Sequence, residues 1–298
     1  MTTPRDILRK IRRLEVRTRR RVSDRYAGAY HSVFRGRGME FDEVREYQPG
    51  DDVRDIDWNV TARMGRPFVK KFVEERELTL LLMADLSAST HFGSAVRLKR
   101  DLIVELVAVL AFSAVRNNDR VGLLLFSDDV ERYLPPRKGA SHALRLLRET
   151  LAWTPRGTGT RLATALDYLN RVQPRRTVSF LISDFVDGGD PAETDRALAI
   201  SARRHDLIAV CVRDRLEQAW PAAGVVRWRD AETGLQRLLD TSDARARRAL
   251  TLTQLEARET LLRRLSARRT DLIELDTARP YDAALERFFR ERERRRRT

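Results

Sequence analysis

From Leu78 onward the chain alternates short, almost purely apolar runs with longer segments whose apolar residues recur at helical spacing. Nothing else in the sequence limits its fold so tightly. Leu78–Ala84 reads Leu-Thr-Leu-Leu-Leu-Met-Ala without one charged residue. A strand of that composition has no polar face to give to water, so it needs cover on both sides, as in a parallel sheet. Thr177–Ser183 and Leu207–Val212 have the same character. Helices are expected over 94–116, 139–152, 160–172, 191–204, 243–268 and 281–295. Val121–Phe126 and Val130–Leu134 read as a strand pair. Val225–Arg229 and Leu235–Leu239 read as a hairpin around Ala231-Glu232-Thr233-Gly234, and Leu272–Leu275 as a last strand. Strands separated by helices give an α/β fold: a doubly wound, mostly parallel sheet of the Rossmann kind.

The first 76 residues differ. Ile7, Leu8, Ile11 and Leu14 lie at helical spacing among arginines, which predicts a basic amphipathic helix over 4–22. Residues 24–76 hold five glycines, the Pro49-Gly50 turn and eight carboxylates between Glu40 and Asp57, the pattern of a small β-containing segment with many turns. The expected division is therefore 1–76 as leader and 77–298 as the α/β domain.

A net charge of +14 suggests a polyanionic partner. The charge is not spread evenly. Residues 1–22 carry nine basic and two acidic side chains, and residues 286–298 seven and three, so the ends supply +11 and the body is nearly neutral. Nucleic-acid binding through the arginine-rich ends stays an alternative, although the N-terminal basic helix has no aromatic residue for base stacking. The one cysteine, Cys211, excludes an intramolecular disulfide, and its apolar surroundings predict a buried thiol. The longest apolar stretch, Leu102–Val115, is too short to span a bilayer and contains Glu105, and no secretory signal is visible. A cytoplasmic protein is expected.

Ligands of open α/β sheets bind at the carboxyl ends of the strands. After Leu78–Ala84 comes Asp85-Leu86-Ser87-Ala88-Ser89; after Thr177–Ser183 comes Asp184; between them Gly157-Thr158-Gly159-Thr160 opens the next helix. Two carboxylates and three hydroxyls make an oxygen-only donor set, which suits a hard cation such as Mg²⁺. Taken singly, each fragment is an ordinary helix cap or turn. Their combination, in this order and at strand ends, points to a metal site.

Asp85, Ser87, Ser89, Thr160 and Asp184 resemble, position by position, the metal-ion-dependent adhesion site of von Willebrand factor A (VWA) domains. Thr160 is preferred to Thr158 because Leu166 lies six positions after it, as in that family's pattern. The leader adds a second resemblance. Phe34-Arg-Gly-Arg-Gly38, Glu40-Phe41, Arg45-Glu-Tyr47, Pro49-Gly-Asp-Asp52, Arg54-Asp-Ile-Asp-Trp58 and Phe72-Val-Glu-Glu75, with Phe288-Phe289 near the end, are similar to the signature of the bacterial DUF58 family. Those proteins carry this segment before a VWA-like domain.

The resemblance implies a magnesium-binding interaction module (or one taking Mn²⁺ or Ca²⁺) that offers an open metal position to an Asp or Glu of a protein partner. It also implies a MoxR-type AAA+ ATPase as that partner, in assembly or activation of other proteins. Thr90, His91 and Thr158 flank the metal residues and are candidates for touching the partner. The leader's Asp51, Asp52, Asp55 and Asp57 are expected to cap turns or pair with Arg45, Arg54 and Arg63; a sharper alternative has one of them filling the open position. A metal-dependent hydrolase is the weaker reading, because His31, His91, His142 and His205 are scattered and form no triad with Ser and Asp. No catalytic residue is assigned.

Overall fold

Three apolar runs become the middle of one sheet. In the computed structural model, which describes residues 12, 30, 33, 34, 40–73, 77–94, 97–232 and 234–297, a six-stranded sheet is ordered β10-β7-β6-β3-β4-β5. Its strands are β3 (Thr79–Asp85), β4 (Arg120–Phe126), β5 (Val130–Arg137), β6 (Val178–Ser183), β7 (Asp206–Arg213) and β10 (Asp271–Asp276). All pairings are parallel except β4 with β5, whose short Ser127-Asp128-Asp129 connection leaves room only for a hairpin. The expected α/β architecture is the observed one.

Helices cover both faces, as the strand composition demands. Leu81 and Met83 of β3, Phe126 of β4 and Leu181 of β6 pack with α4 (Leu162–Val172), α5 (Pro191–Arg204) and α7 (Ala244–Ser266) through Leu166, Leu198 and Leu265. Side chains alternate along a strand, so Leu80, Leu82 and Ala84 point the other way, toward the face that α2 (Lys99–Arg116) covers. Helix α2 is buried over nearly every residue from Leu102 to Ala114, which is where the long apolar stretch goes. Helices α3 (Ala140–Ala152) and α8 (Asp282–Arg297) pack on α2 and β10 respectively. Each fully buried Leu of this core contributes roughly 1.5–3 kcal/mol. No described helix is long and apolar enough to cross a membrane.

The chain divides into two units, 34–78 and 1–33 with 79–298. In the smaller, β1 (Glu40–Glu46) pairs antiparallel with β2 (Phe68–Val73). Between them the chain forms a helix, α1 (Trp58–Met64), where only strands and turns were expected. The reason is local: Asp57 caps its N-terminus by accepting from Asn59 N and Val60 N, and Gly65 ends it at φ 68°, a conformation glycine adopts freely. The predicted helix over 4–22 lies outside the described residues, apart from Arg12. Two helices start later than expected, α2 at Lys99 and α4 at Leu162, so Thr160 stays in a loop.

A separate two-stranded sheet, β8 (Val225–Arg229) with β9 (Gln236–Asp240), is the predicted hairpin. It follows α6 (Arg215–Gln218). At the chain's end the arginines are partly committed to the body: Arg292 bridges Asp206 and Asp271, and Arg295 pairs with Asp271.

Candidate metal centre

The sheet reverses its winding at β3: β4 lies on one side and β6 on the other, with Ala84 opposite Ile182. Loops leaving neighbouring strands at such a point diverge and open a crevice beyond their carboxyl ends. Asp85 is the last residue of β3 and Asp184 follows β6, so both enter that crevice.

Four loops are stitched together there by backbone hydrogen bonds. Leu86 N donates to the Phe126 carbonyl at 2.8 Å, and Ala88 N to that of Thr158 at 3.0 Å. Arg161 N donates to Ser127 O at 3.0 Å, and Gly188 N to Thr160 O at 2.9 Å. After Asp184 the chain bends sharply at Phe185, φ 59°, an uncommon conformation for a bulky residue. The bend lets Phe185 N reach Ser183 Oγ at 3.0 Å and Val186 N reach Asp184 Oδ1 at 3.2 Å.

The side chains converge within this frame. Asp85, fully buried, accepts from Ser87 N at 2.8 Å on Oδ1 and from the Ser183 hydroxyl at 2.6 Å on Oδ2. The Thr160 hydroxyl lies 3.4 Å from the same Oδ2. Ser87 Oγ and Ser89 Oγ are 3.0 Å apart. On the other side, the fully buried Lys99 ammonium donates to Asp184 Oδ2 at 2.7 Å and to Glu217 Oε1 at 2.6 Å.

Three carboxylates, those of Asp85, Asp184 and Glu217, thus share the site with the Lys99 ammonium. Burial, reinforced by the charge on Asp184, raises the Asp85 carboxyl to about 7 against the hydrogen bonds from Ser183 and Ser87. Burial also raises Glu217, and the Lys99 charge opposes it. The Lys99 ammonium feels burial in the opposite sense, but Asp184 and Glu217 outweigh it and hold its pKa above the ordinary lysine value.

Two observations bear on whether a cation fits. The charge balance is negative, and the hydroxyl pair at 3.0 Å has the spacing of adjacent ligands around an octahedral ion with metal–oxygen distances of about 2.1 Å. Among the described residues no three His, Cys, Asp or Glu side chains gather as a metal-ligating cluster. Of the expected donors, Asp85 and the hydroxyls of Ser87, Ser89 and Thr160 come together, with the Asp184 carboxylate beside them. Asp184, bound to Lys99 and Val186 N, supplies charge from behind. The donor set fits a hard cation.

Of the residues expected to touch a partner, Thr90 is fully buried and its hydroxyl donates to the Ser87 carbonyl at 2.7 Å, so it shapes the turn and offers a partner nothing. His91 is exposed, with Nε2 2.9 Å from Arg100 Nη1. Thr158 is exposed and donates to the Glu232 carbonyl at 3.3 Å. Asp51, Asp52 and Asp57 serve their own unit: Asp51 pairs with Arg45, Asp52 caps a 3-10 turn at Val53–Asp55, and Asp57 caps α1 and pairs with Lys70. Cys211 is buried, and burial pushes its thiol up to about 11.

Sequence reasoning missed Ser183, Lys99, Glu217 and Glu232. Glu232 sits in the β8–β9 turn, and its Oε1 accepts from the Thr160 hydroxyl at 3.0 Å. Burial raises its carboxyl, opposed by that bond and reinforced by Asp184, Asp230 and Asp187.

Comparison with known proteins places the chain among relatives. The family model described as "Protein of unknown function DUF58" matches residues 43–260. Uncharacterized protein Rv1480 of Mycobacterium tuberculosis is 37% identical over 229 residues, covering 76% of this chain and 71% of that protein. YeaD of Bacillus subtilis is 29% identical over 105 residues, covering 35% and 24%. Among solved structures, the conserved hypothetical protein BatB of Bacteroides thetaiotaomicron is 14% identical with a TM-score of 0.48, covering 73% of this chain and 99% of that one. A von Willebrand factor type A structure from Catenulispora acidiphila is 11% identical with a TM-score of 0.38, covering 76% and 43%.

Proposed function

This chain belongs to the DUF58 family, and we propose from its site that it is a protein-interaction module whose binding depends on a divalent cation, Mg²⁺ by preference. The observation that carries the reading is the meeting of Asp85, Ser87, Ser89 and Thr160 at the carboxyl edge of β3, with Asp184 behind them.

Asp85, Ser87, Ser89 and Thr160 would hold the ion. When bound, it supplies an electrophilic position to which a carboxylate oxygen of a partner can attach. Neutral hydroxyls suit that task, because each donates electron density without cancelling the ion's charge. Asp85 contributes the charge that retains the ion. Lys99 offsets one of the two charges on Asp184 and Glu217, which limits how much negative charge faces an incoming carboxylate. The backbone stitches among the four loops fix these groups before any partner arrives, which reduces the ordering cost of binding.

The reading is one of binding rather than catalysis. His91 engages Arg100, His142 Nε2 lies 3.0 Å from the Val121 carbonyl, and His205 is buried. The family resemblance makes a MoxR-type AAA+ ATPase the first partner to try. In a test with that purified ATPase in the absence of nucleotide, Mg²⁺ should support binding, while EDTA or Asp85→Ala should weaken it at least tenfold. Circular dichroism of the variant should be unchanged. Equal affinity with and without Mg²⁺, or unchanged Mg²⁺ binding by Asp85→Ala in calorimetry, would sink the reading.

A further inference from the structure

We propose that Glu232 is an in-chain occupant of the position meant for a partner's carboxylate, so that the β8–β9 hairpin keeps the site closed until an acidic partner displaces it. The proposal rests on the cation-dependent reading above and adds to it a regulator.

Glu232 is the carboxylate that the fold brings to Thr160 from outside the strand-end loops. Thr160 Oγ1 and Glu232 Oε1 are 3.0 Å apart, the same separation as Ser87 Oγ and Ser89 Oγ, and both are the spacing of adjacent ligands in an octahedral shell. Its surroundings call for a cation. The strongest influences on its carboxyl are burial, the Thr160 hydroxyl and the carboxylates of Asp184, Asp230 and Asp187, and among the described residues it makes no ion pair. Gly159 and Gly188 flank its carboxylate: a Cβ built on either would lie 3.9 Å from Oε2, at ordinary van der Waals contact.

The turn is built to present this side chain. Asp230 Oδ1 accepts from Glu232 N at 2.9 Å, and Asp230 O accepts from Gly234 N at 3.0 Å. The Glu232 carbonyl accepts the Thr158 hydroxyl. Behind the turn, the strands are poorly anchored. The hairpin stands apart from the six-stranded sheet, and Val225, Leu235 and Leu238 are 66%, 60% and 71% exposed. A lone two-stranded hairpin is marginally stable, so the Glu232 contact at its tip does much to hold it down. Such an arm competes at the high effective concentration of a tethered group. A free carboxylate therefore binds with an affinity reduced by the fraction of open sites. The partner this fits presents an Asp or Glu on a projecting segment that enters as the hairpin leaves.

The test uses the full chain with Mn²⁺ as the metal probe and acetate as the carboxylate probe, comparing wild type, Glu232→Ala and Glu232→Gln. The Gln variant keeps an acceptor for Thr160, so it reports the loss of charge in a turn of unchanged shape. Bound Mn²⁺ should show a higher water-proton relaxation enhancement in both variants, because a coordination position opens to water. Acetate should suppress that enhancement at concentrations at least tenfold lower than in wild type. Hydrogen exchange supplies a second readout: Mg²⁺ should slow the amides of 225–240 in wild type and leave them unchanged in the variants. If wild type binds Mn²⁺ but relaxation, acetate response and hairpin exchange match in all three proteins, the Glu232 proposal is overturned and the cation-dependent reading stands. If no form binds Mn²⁺, the reading falls and takes the proposal with it.

Discussion

Asp85→Asn is expected to raise the thermal stability of the cation-free protein at pH 8 and to abolish its stabilisation by Mg²⁺. Asp85 is fully buried and its carboxyl is raised to about 7 by burial and by the charge on Asp184. An unfolded chain returns it to the ordinary value near 3.9. The folded state therefore holds the proton more tightly than the unfolded one. The associated stability is fully present below pH ~4, is lost as the pH climbs from there to about 7, and stays lost above. That gap corresponds to roughly 4 kcal/mol at pH 8. Asparagine carries no charge and escapes the penalty. Its carbonyl still accepts from Ser87 N, and its amide can donate to the Ser183 hydroxyl, which rotates to accept. Melting curves in EDTA should converge near pH 4, draw apart as the pH rises to about 7 and stay fully separated above it, with the variant higher. Adding Mg²⁺ should stabilise wild type, by about 2.7 kcal/mol at a hundred times the dissociation constant, and leave the variant where it was. A variant less stable than wild type at pH 8 in EDTA, or one that gains equally from Mg²⁺, would contradict this view of the site.

The sequence carried the sheet and the four groups that meet at its edge, because both are written locally. Continuous apolar runs such as Leu78–Ala84 admit few environments other than a covered strand, and Asp85-x-Ser87-x-Ser89 directly follows one. Thr160 was legible by spacing, although its helix begins two residues later than periodicity suggested. The helix Trp58–Met64 was hidden because capping by Asp57 and the left-handed Gly65, rather than an apolar stripe, define it: none of its residues is buried. Glu232 and Glu217 were invisible for a different reason. Each reaches the site across a long stretch of chain, Glu232 to Thr160 over 72 residues and Glu217 to Lys99 over 118, and a lone glutamate in a turn or short helix has no local signature. Lys99 did leave a trace. The chain has five lysines against fifty-three arginines, so a lysine at the start of a buried helix departs from its habit. A compact ammonium fits a closed slot beside two carboxylates where a planar guanidinium does not.

Lys99→Met should therefore be among the most damaging single changes in the protein. The Lys99 side chain is 1% exposed, and it is the cation held at hydrogen-bond distance from both Asp184 and Glu217. Methionine fills much of the space but leaves Asp184 buried and Glu217 partly buried without their counter-charge, a change that costs about 3–5 kcal/mol where one partner of a buried pair is removed. For a domain of this size the melting temperature should fall by roughly 10 °C at pH 8. Lowering the pH should shrink the defect, because burial already raises the Glu217 carboxyl and, without Lys99 to oppose it, the folded state binds that proton more tightly than the unfolded chain does. The loss is then smallest near pH 4 and grows as the pH rises. Two companions separate charge from shape. Lys99→Met with Glu217→Gln removes one of the stranded charges and should recover part of the loss, whereas Lys99→Arg keeps the charge but overfills the slot and should recover little. Mg²⁺ should stabilise Lys99→Met more than wild type, since an ion at Asp85 then meets a more negative site and takes over part of the ammonium's role. If Lys99→Met melts with wild type at pH 8, or loses as much at pH 5 as at pH 8, Lys99 is a packing residue and the charge balance drawn for this site is wrong.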